Sequence, residues 1–175
     1  MKKGARAKDF EDAIMWLCDA GLVHKVRRVS KIASPLKFYE DMSAFKLFVN
    51  DLGLLGALAE VKPREILTGA HIFEEYKGAF TEQYVAGQLI ACGLRPYYYT
   101  NKNSTAEIDF VIQGEDVFPI EVKAEENLKS KSLKSVIDKN PRLHGIRFSM
   151  SPYREQEWLT NIPLYLVQQW AHDNQ

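Results

Sequence analysis

The sequence predicts an α/β fold, with a larger domain that follows a smaller N-terminal segment. From about residue 78, the spacing of the apolar residues predicts a helix, three strands, a second helix and two more strands, in that order. Before residue 60, a shorter pattern predicts a helix, two strands and another helix. Apolar residues make up 46% of the 175 positions, enough for one mid-sized core or two small ones. We therefore expect two units, residues 1–60 and residues 61–175.

The charge balance and the apolar pattern exclude several classes of protein. The 23 basic and 23 acidic residues give no net charge, which excludes a simple polycationic nucleic-acid binder but leaves a local basic face open. No apolar stretch approaches the roughly 20 residues of a membrane span, and no apolar segment follows the basic N-terminus as a secretion signal would. Cys18 and Cys92 stand alone on apolar segments, as free thiols of a reducing compartment do. We expect a cytoplasmic protein with no membrane partner.

The N-terminal segment has the element order of a winged-helix fragment. Its predicted elements are a helix over 8–20, strands over 22–29 and 45–49, and a helix over 51–60. Gly21 is suited to end the first helix, and Asp51 is suited to cap the second. A helix followed by a two-stranded ribbon is the shape of a winged helix that lacks its early helices.

The larger domain carries more elements. Its predicted helices are 78–92 and 132–139, and its predicted strands are 94–100, 106–113, 117–124, 144–150 and 162–168. Gly93 ends the first helix, and the Asn140-Pro141 pair stops the second.

Two acidic residues are predicted to face each other on one hairpin of this domain. A turn centred on Glu115 places Asp109 directly opposite Glu121, with their β-carbons about 5 Å apart. Lys123 lies two residues beyond Glu121 and therefore projects from the same strand face. Like charges repel when they lie opposite each other on a sheet, so folding alone does not favour this pair.

A divalent cation would offset this repulsion. Mg²⁺ is usually bound by one or two carboxylates, with waters and phosphate oxygens completing its shell. A neighbouring ammonium orients the attacking water or stabilises charge on the phosphate. The pattern thus indicates a metal-dependent phosphodiesterase site. The alternative is a surface ion pair worth under about 1 kcal/mol, but the apolar residues on both sides of Asp109 and of Glu121 favour the edge of a cleft.

Six segments of the chain together resemble a known family. They are FKLFVNDLGLL (45–55), GAFTEQYVAGQL (78–89), AEIDFVI (106–112), FPIEVKAEENLKSKSL (118–133), IRFSM (146–150) and NIPLYLV (161–167). The acids and the E-x-K triplet are similar to the motif of the PD-(D/E)XK nuclease superfamily. The whole series resembles one group within it, the C-terminal domain of uncharacterised function that follows an AAA-type ATPase domain in many bacterial and archaeal ATP-binding proteins.

The resemblance implies a restriction-endonuclease-like core and roles for four residues. Glu82 matches the superfamily's first-helix acid, a metal ligand, and Asp109 matches the acid of the second strand. Glu121 and Lys123 match the E-x-K of the third strand. The implied catalytic residues are Asp109, Glu121 and Lys123, and the implied metal ligands are Glu82, Asp109 and Glu121. Apart from the resemblance, Glu107 points to the same strand face as Asp109, and a role as a spare ligand is an alternative that we do not favour. The implied cofactor is Mg²⁺ or Mn²⁺, and the implied substrate is DNA.

The chain departs from the family's pattern in two places. Ile108 precedes Asp109, where the superfamily's name refers to proline. The phosphate-cradling G-x-x-x-x-G-K-[ST] loop of the parent ATPases is not found in these residues, so we predict no ATP site. We expect the chain to be the C-terminal part of a longer ATP-binding protein, with that protein's ATPase domain as a partner.

Other functions stay open as alternatives. The first is a catalytically inactive protein- or DNA-interaction module appended to an ATPase, and another is a piece that forms a homo-oligomer. Three lysines, Lys129, Lys131 and Lys134, form either a basic rim for a phosphate backbone or the solvated start of a helix. The four histidines have no ligand-type spacing with each other or with the cysteines, so no zinc site is expected.

Overall fold

One sheet of eight strands runs through the part of the chain that the structure describes. The structure is a computed structural model and describes residues 10–62, 64, 71–101, 106–124 and 129–175. The strands are β1 (Val23–Val29), β2 (Glu40–Val49), β3 (Tyr97–Thr100), β4 (Glu107–Gln113), β5 (Val117–Lys123), β6 (Gly145–Ser149), β7 (Arg154–Glu155) and β8 (Leu159–Pro163). The described helices are α1 (Glu11–Asp19), α2 (Leu52–Leu58), α3 (His71–Ala91), α4 (Lys131–Lys139) and α5 (Val167–Asp173). The predicted α/β class is confirmed.

The sheet is mixed, in the order β2-β1-β3-β4-β5-β6-β8-β7. Strand β1 pairs antiparallel with β2 and parallel with β3. Strands β3, β4 and β5 are antiparallel neighbours, whereas β5, β6 and β8 run parallel. Strand β7 is antiparallel to β8 at the far edge. The ribbon predicted for residues 1–60 therefore extends the same sheet as the strands predicted for residues 61–175.

Helices cover both faces of the sheet, because each strand alternates apolar residues between two buried clusters. On one face, α3 and α5 pack on strand residues that include Phe110 and Phe148. On the other face, Leu133 and Val136 of α4 pack on residues that include Val111. The central strands are thus buried on both sides, as their nearly continuous apolar runs indicate.

Two helix ends have the predicted local chemistry. Gly21 adopts a positive φ of 70° after α1, a conformation that glycine reaches without a steric cost. At the start of α2, the Asp51 side chain accepts a hydrogen bond of 2.7 Å from the Leu54 amide. None of the described helices is long and apolar enough to cross a bilayer.

The prediction of one strand over residues 162–168 is wrong. Strand β8 ends at Pro163, and the chain continues as a 3₁₀ turn, Leu164–Leu166, and then as α5. The Trp170 ring of α5 packs edge-on against Phe118 and Phe148, with centroids 5.5 and 5.3 Å away, so this segment covers the sheet and does not extend it.

Strand β2 and helix α3 begin earlier than the sequence predicts. Strand β2 starts at Glu40, because Glu40 and Asp41 form ion pairs of 2.9 and 2.6 Å with Arg27 and Arg28 of β1. The apolar pattern that predicts strands carries no signal for such charged cross-strand pairs. Helix α3 starts at His71, seven residues before the predicted start.

Candidate functional site

The hairpin that carries the predicted acids has the predicted register. Strands β4 and β5 pair with Phe110 opposite Ile120 and Gln113 opposite Val117. Asp109 and Glu121 lie one position beyond the Phe110–Ile120 pair, on the side away from the turn. At this position a side chain takes part in the pairing of the two strands. The Asp109 carboxylate accepts a hydrogen bond of 2.7 Å from the Val122 amide. Asp109 is thus held at the end of the hairpin, next to the strand that carries Glu121.

Asp109 has an unusual acidity. Its pKa is raised to about 7, mainly by burial and next by the nearby Glu82 carboxylate. Glu121 acts in the same direction, whereas the Val122 hydrogen bond and the Lys46 ammonium lower this pKa. The structure therefore brings Glu82, Asp109 and Glu121 within electrostatic reach of one another, although they come from α3, β4 and β5.

Glu121 is a buried acid with half of its carboxylate unpaired. Its relative exposure is 7%, and Oε1 lies 3.1 Å from the Lys123 Nζ. Its other oxygen, Oε2, is buried and has no hydrogen-bond partner among the described residues. Buried polar atoms without a protein partner are rare in folded proteins and need an explanation, such as an ordered water, a bound ion or a catalytic role.

Lys46 on β2 is a residue that the sequence analysis misses. Its Nζ lies 2.5 Å from Glu107 and 3.7 Å from Glu82, and it sits 5.2 Å from the centre of the Tyr98 ring. Burial lowers the pKa of this ammonium, but the hydrogen bond to Glu107 and the surrounding carboxylates outweigh burial and raise the pKa overall. The local sequence around Lys46 does not indicate these ion pairs, because they depend on how β2 lies against α3. Glu107 pairs with the Lys46 ammonium, and a role as a spare metal ligand stays an alternative.

The acids include groups that a metal site would use as ligands. Among the residues that the structure describes, no three His, Cys, Asp or Glu side chains form a ready-made metal cluster. Mg²⁺ does not need one, because one or two protein carboxylates are enough when waters and phosphate oxygens supply the rest. The unpaired Oε2 of Glu121 and the buried carboxyl of Asp109 fit such a partial shell.

Two protein families match the chain. Residues 77–167, just over half of the sequence, match the family described as "Domain of unknown function (DUF4143)". The chain belongs to the DUF4143 family. Residues 1–65 match a second model, "Domain of unknown function (DUF8612)". No curated protein and no solved structure matches the chain significantly.

The candidate site draws on both matched segments. All four predicted site residues, and Glu107, lie within the DUF4143 segment. Lys46 lies within the segment that matches DUF8612. The ion pairs of Lys46 with Glu82 and Glu107 therefore connect the DUF8612 segment to the DUF4143 segment.

The DUF4143 segment also contains a buried polar row that the sequence analysis misses. Glu121, Arg147 and Asn161 are register partners on β5, β6 and β8, so their side chains lie on one face of the sheet. The Arg147 Nε donates a hydrogen bond of 2.9 Å to the Asn161 Oδ1. Arg147 lies in the strand predicted over 144–150, and Asn161 lies directly before the one predicted over 162–168. Only the parallel pairing aligns them with Glu121.

Proposed function

We propose that this DUF4143 protein is a metal-dependent phosphodiesterase that cleaves DNA. The observation that carries the proposal is the buried, unpaired Oε2 of Glu121 beside the Lys123 ammonium and near the Asp109 carboxyl. Buried acids next to an ammonium, with one carboxylate oxygen left for a cation, are suited to metal-assisted hydrolysis of a phosphodiester. The proposal includes a restriction-endonuclease-like core, a winged-helix-like N-terminal segment, a cytoplasmic location and the ATPase domain of a longer protein as a partner.

Each acid has a proposed role. Asp109 and Glu121 would hold Mg²⁺ or Mn²⁺, and Glu82 would supply further negative charge from α3. The cation, when bound, neutralises charge on the phosphate and makes a bound water more acidic. The residues would hold it with the help of waters and of the phosphate itself, since two carboxylates fill only part of its shell.

Lys123 would act on the reacting groups directly. In hydrolysis, a water oxygen forms a bond to phosphorus while the bond from phosphorus to the leaving oxygen breaks, and that oxygen gains a proton. The Lys123 ammonium has three donors, one of them directed at Glu121 Oε1 at 3.1 Å. The others would orient the water or stabilise the charge that develops on the phosphate.

The experiment is a cleavage assay with end-labelled single-stranded and duplex DNA, with Mg²⁺ or Mn²⁺ or with EDTA. We expect cleavage by the unaltered protein with metal, and at least a hundredfold slower cleavage by Lys123→Ala, as is typical of a lost electrostatic donor. Lys37→Ala is the matched control, because Lys37 is exposed on the 3₁₀ turn before β2. It should cleave at the unaltered rate.

Two results would contradict the proposal. Equal cleavage by Lys123→Ala and the unaltered protein would show that the activity comes from another site or another protein. No cleavage by either protein, together with no rise of the melting temperature in Mn²⁺, would leave the acids without a metal. A site that binds metal only in the folded state must raise the melting temperature with metal concentration.

A second candidate function is a catalytically inactive interaction module. The observation that favours it is Lys46, whose ammonium already lies among Glu82, Glu107 and Asp109 and offsets part of their charge without a metal. Under this alternative, the acids and Lys46 would be a structural charge network. The Mn²⁺ melting experiment separates the two functions, because a network that is complete with Lys46 gains nothing from the metal.

A further inference from the structure

A basic cavity opens where helix α4 begins. Its volume is about 440 Å³, and it lies against β6 and the segment that leads to β8. Its cationic lining residues are Lys129, Lys131, Lys134, Arg147 and Arg154, and no described acidic residue lines it. In a chain with no net charge, five cations around one cavity are a local concentration of positive charge.

The floor of the cavity is a rigidly held arginine. Arg147 is 3% exposed, and its Nη1 donates a hydrogen bond of 3.1 Å to the Ser130 Oγ at the start of α4. Its Nε is bound to Asn161, which is itself held by Ser149 through a bond of 2.7 Å. A guanidinium fixed in this way places a permanent positive charge at the base of the cavity.

The wall of the cavity includes an aromatic ring. Trp158 is half-buried, packs against the cluster under α4 and lines the cavity. The Lys134 ammonium lies 5.0 Å from the centre of this ring and also pairs with Asp138 at 2.6 Å. Cations for phosphates beside an aromatic surface for bases are the two parts of a single-stranded nucleic-acid site.

The cavity adjoins the candidate site. Arg147 is the register partner of Glu121 across β5 and β6, and neighbouring strands lie about 4.8 Å apart. Both residues belong to the face that α4 covers. A strand of nucleic acid with one phosphate in the cavity would therefore reach Glu121 and Lys123 with an adjacent phosphate.

A second cavity of about 580 Å³ offers a contrast. It lies by the β4–β5 turn and is lined by Glu115 and Asp116 as well as by Lys31 and Arg142. Charges of both signs offset each other there, so it has no comparable preference for an anion.

We propose that the basic cavity binds a backbone phosphate of single-stranded nucleic acid, with Trp158 stacking on the adjoining base. The choice of nucleic acid rests on the proposed function, whereas the preference for a phosphate rests on the cations and on Arg147. The cavity thus sets the position of the strand before any bond is cleaved.

The test is the binding of a short fluorescein-labelled oligothymidylate, followed by fluorescence anisotropy in EDTA. The cavity variant is Lys131→Gln with Arg154→Gln, both exposed, so the fold is retained. The control is Lys37→Gln with Arg142→Gln, also exposed and outside this cavity. We expect the cavity variant to bind at least tenfold more weakly, with a salt dependence shallower by about 1.4 log units per log unit for two lost contacts. The control should bind as the unaltered protein does.

A third variant tests the stacking. Trp158→Leu should weaken oligothymidylate binding about tenfold or more, while inorganic polyphosphate binds as before. If Trp158→Leu has no effect and an oligoglutamate binds as tightly as the oligonucleotide, the cavity is a general polyanion site and the proposal is wrong. Equal binding by the cavity variant and the control would also overturn it.

The outcomes separate this proposal from the proposed cleavage. Binding that depends on the cavity, without cleavage in Mn²⁺, would support the cavity and count against the phosphodiesterase. Cleavage that depends on Lys123, with binding unchanged in the cavity variant, would support the phosphodiesterase and overturn the cavity.

Discussion

The Asp109 side chain is subject to opposing demands. Its carboxyl is held by the Val122 amide, which favours the ionised form, while burial and the carboxylates of Glu82 and Glu121 favour the protonated form. Burial is the largest of these effects, so the pKa rises to about 7. Around neutral pH, a bound cation would therefore have to displace a proton from part of the population.

Asp109 should make the stability of the metal-free protein depend on pH. The folded-state pKa of about 7 lies above the ordinary carboxyl value near 4. The protonated Asp109 carboxyl therefore contributes to the free energy of unfolding fully below pH about 4, and this contribution is lost as the pH rises through about 7. Asp109→Asn stays neutral throughout. Above pH 7 it should unfold with a free energy larger by roughly 3 kcal/mol or less, since Asp109 keeps some contact with solvent.

Urea unfolding in EDTA at several pH values measures this difference. Asp138→Asn is the matched control, because Asp138 is an exposed acid on α4. Its curve should run parallel to that of the unaltered protein. If the curve of Asp109→Asn is parallel as well, the high pKa of Asp109 is wrong.

At the scale of elements, the approach of β2 to α3 decides the charge of the candidate site. The Gln83 side chain of α3 accepts a hydrogen bond of 3.0 Å from the Val49 amide of β2 and donates one of 2.5 Å to the Val49 carbonyl. This clamp holds β2 against α3 and places Lys46 within reach of Glu82. A strand from the N-terminal segment thereby changes the electrostatic surroundings of acids on two other elements, α3 and β4.

Lys46→Gln should change stability and metal response in opposite directions. Without the ammonium, Glu82, Glu107 and Asp109 repel one another, so in EDTA the free energy of unfolding should fall by about 1 kcal/mol. In Mn²⁺, the rise of the melting temperature should be larger than in the unaltered protein, because the cation no longer competes with Lys46. Thermal unfolding with and without Mn²⁺ measures both effects.

Lys25→Gln is the control for Lys46→Gln. Lys25 is also on the β1–β2 ribbon and also lies over an aromatic ring, that of Phe45 at 4.3 Å. The Lys25→Gln variant should show the same rise of the melting temperature in Mn²⁺ as the unaltered protein. An equal Mn²⁺ response in all three proteins would show that Lys46 does not compete with a metal.

The β4–β5 turn has no room for a side chain at Gly114. A β-carbon there would overlap the Asn174 carbonyl oxygen at the end of α5. Gly114→Ala should therefore lower the free energy of unfolding by about 1–3 kcal/mol. Gly78→Ala in α3 has open space around it and should raise the free energy of unfolding by about 0.5–1 kcal/mol. Urea unfolding of the pair checks this, and a neutral Gly114→Ala would mean that α5 does not close on the turn.

At the scale of the whole molecule, the features that the sequence predicts correctly are those that depend on residues close together in the chain. The hairpin register follows from alternating residues and one turn, and the structure has the same register from Phe110 to Gln113. The placement of Lys46 and Arg147 depends on pairing between distant segments, for which a single sequence carries no signal. The strand predicted over residues 162–168 is wrong for a related reason. Leu164 and Leu166 pack against the core while Tyr165 is exposed, and a helical turn can produce the same alternation as a strand.

The position of Lys46 also bears on how freely the two segments could be recombined. An exchange of residues 1–65 for another module would remove a cation from beside Glu82 and Glu107 without altering any residue of the DUF4143 segment. The acids would keep their identity but lose their built-in counterion. Under the proposed function, such an exchange would change the affinity of these acids for a divalent cation, because a different N-terminal segment would offset a different part of their charge.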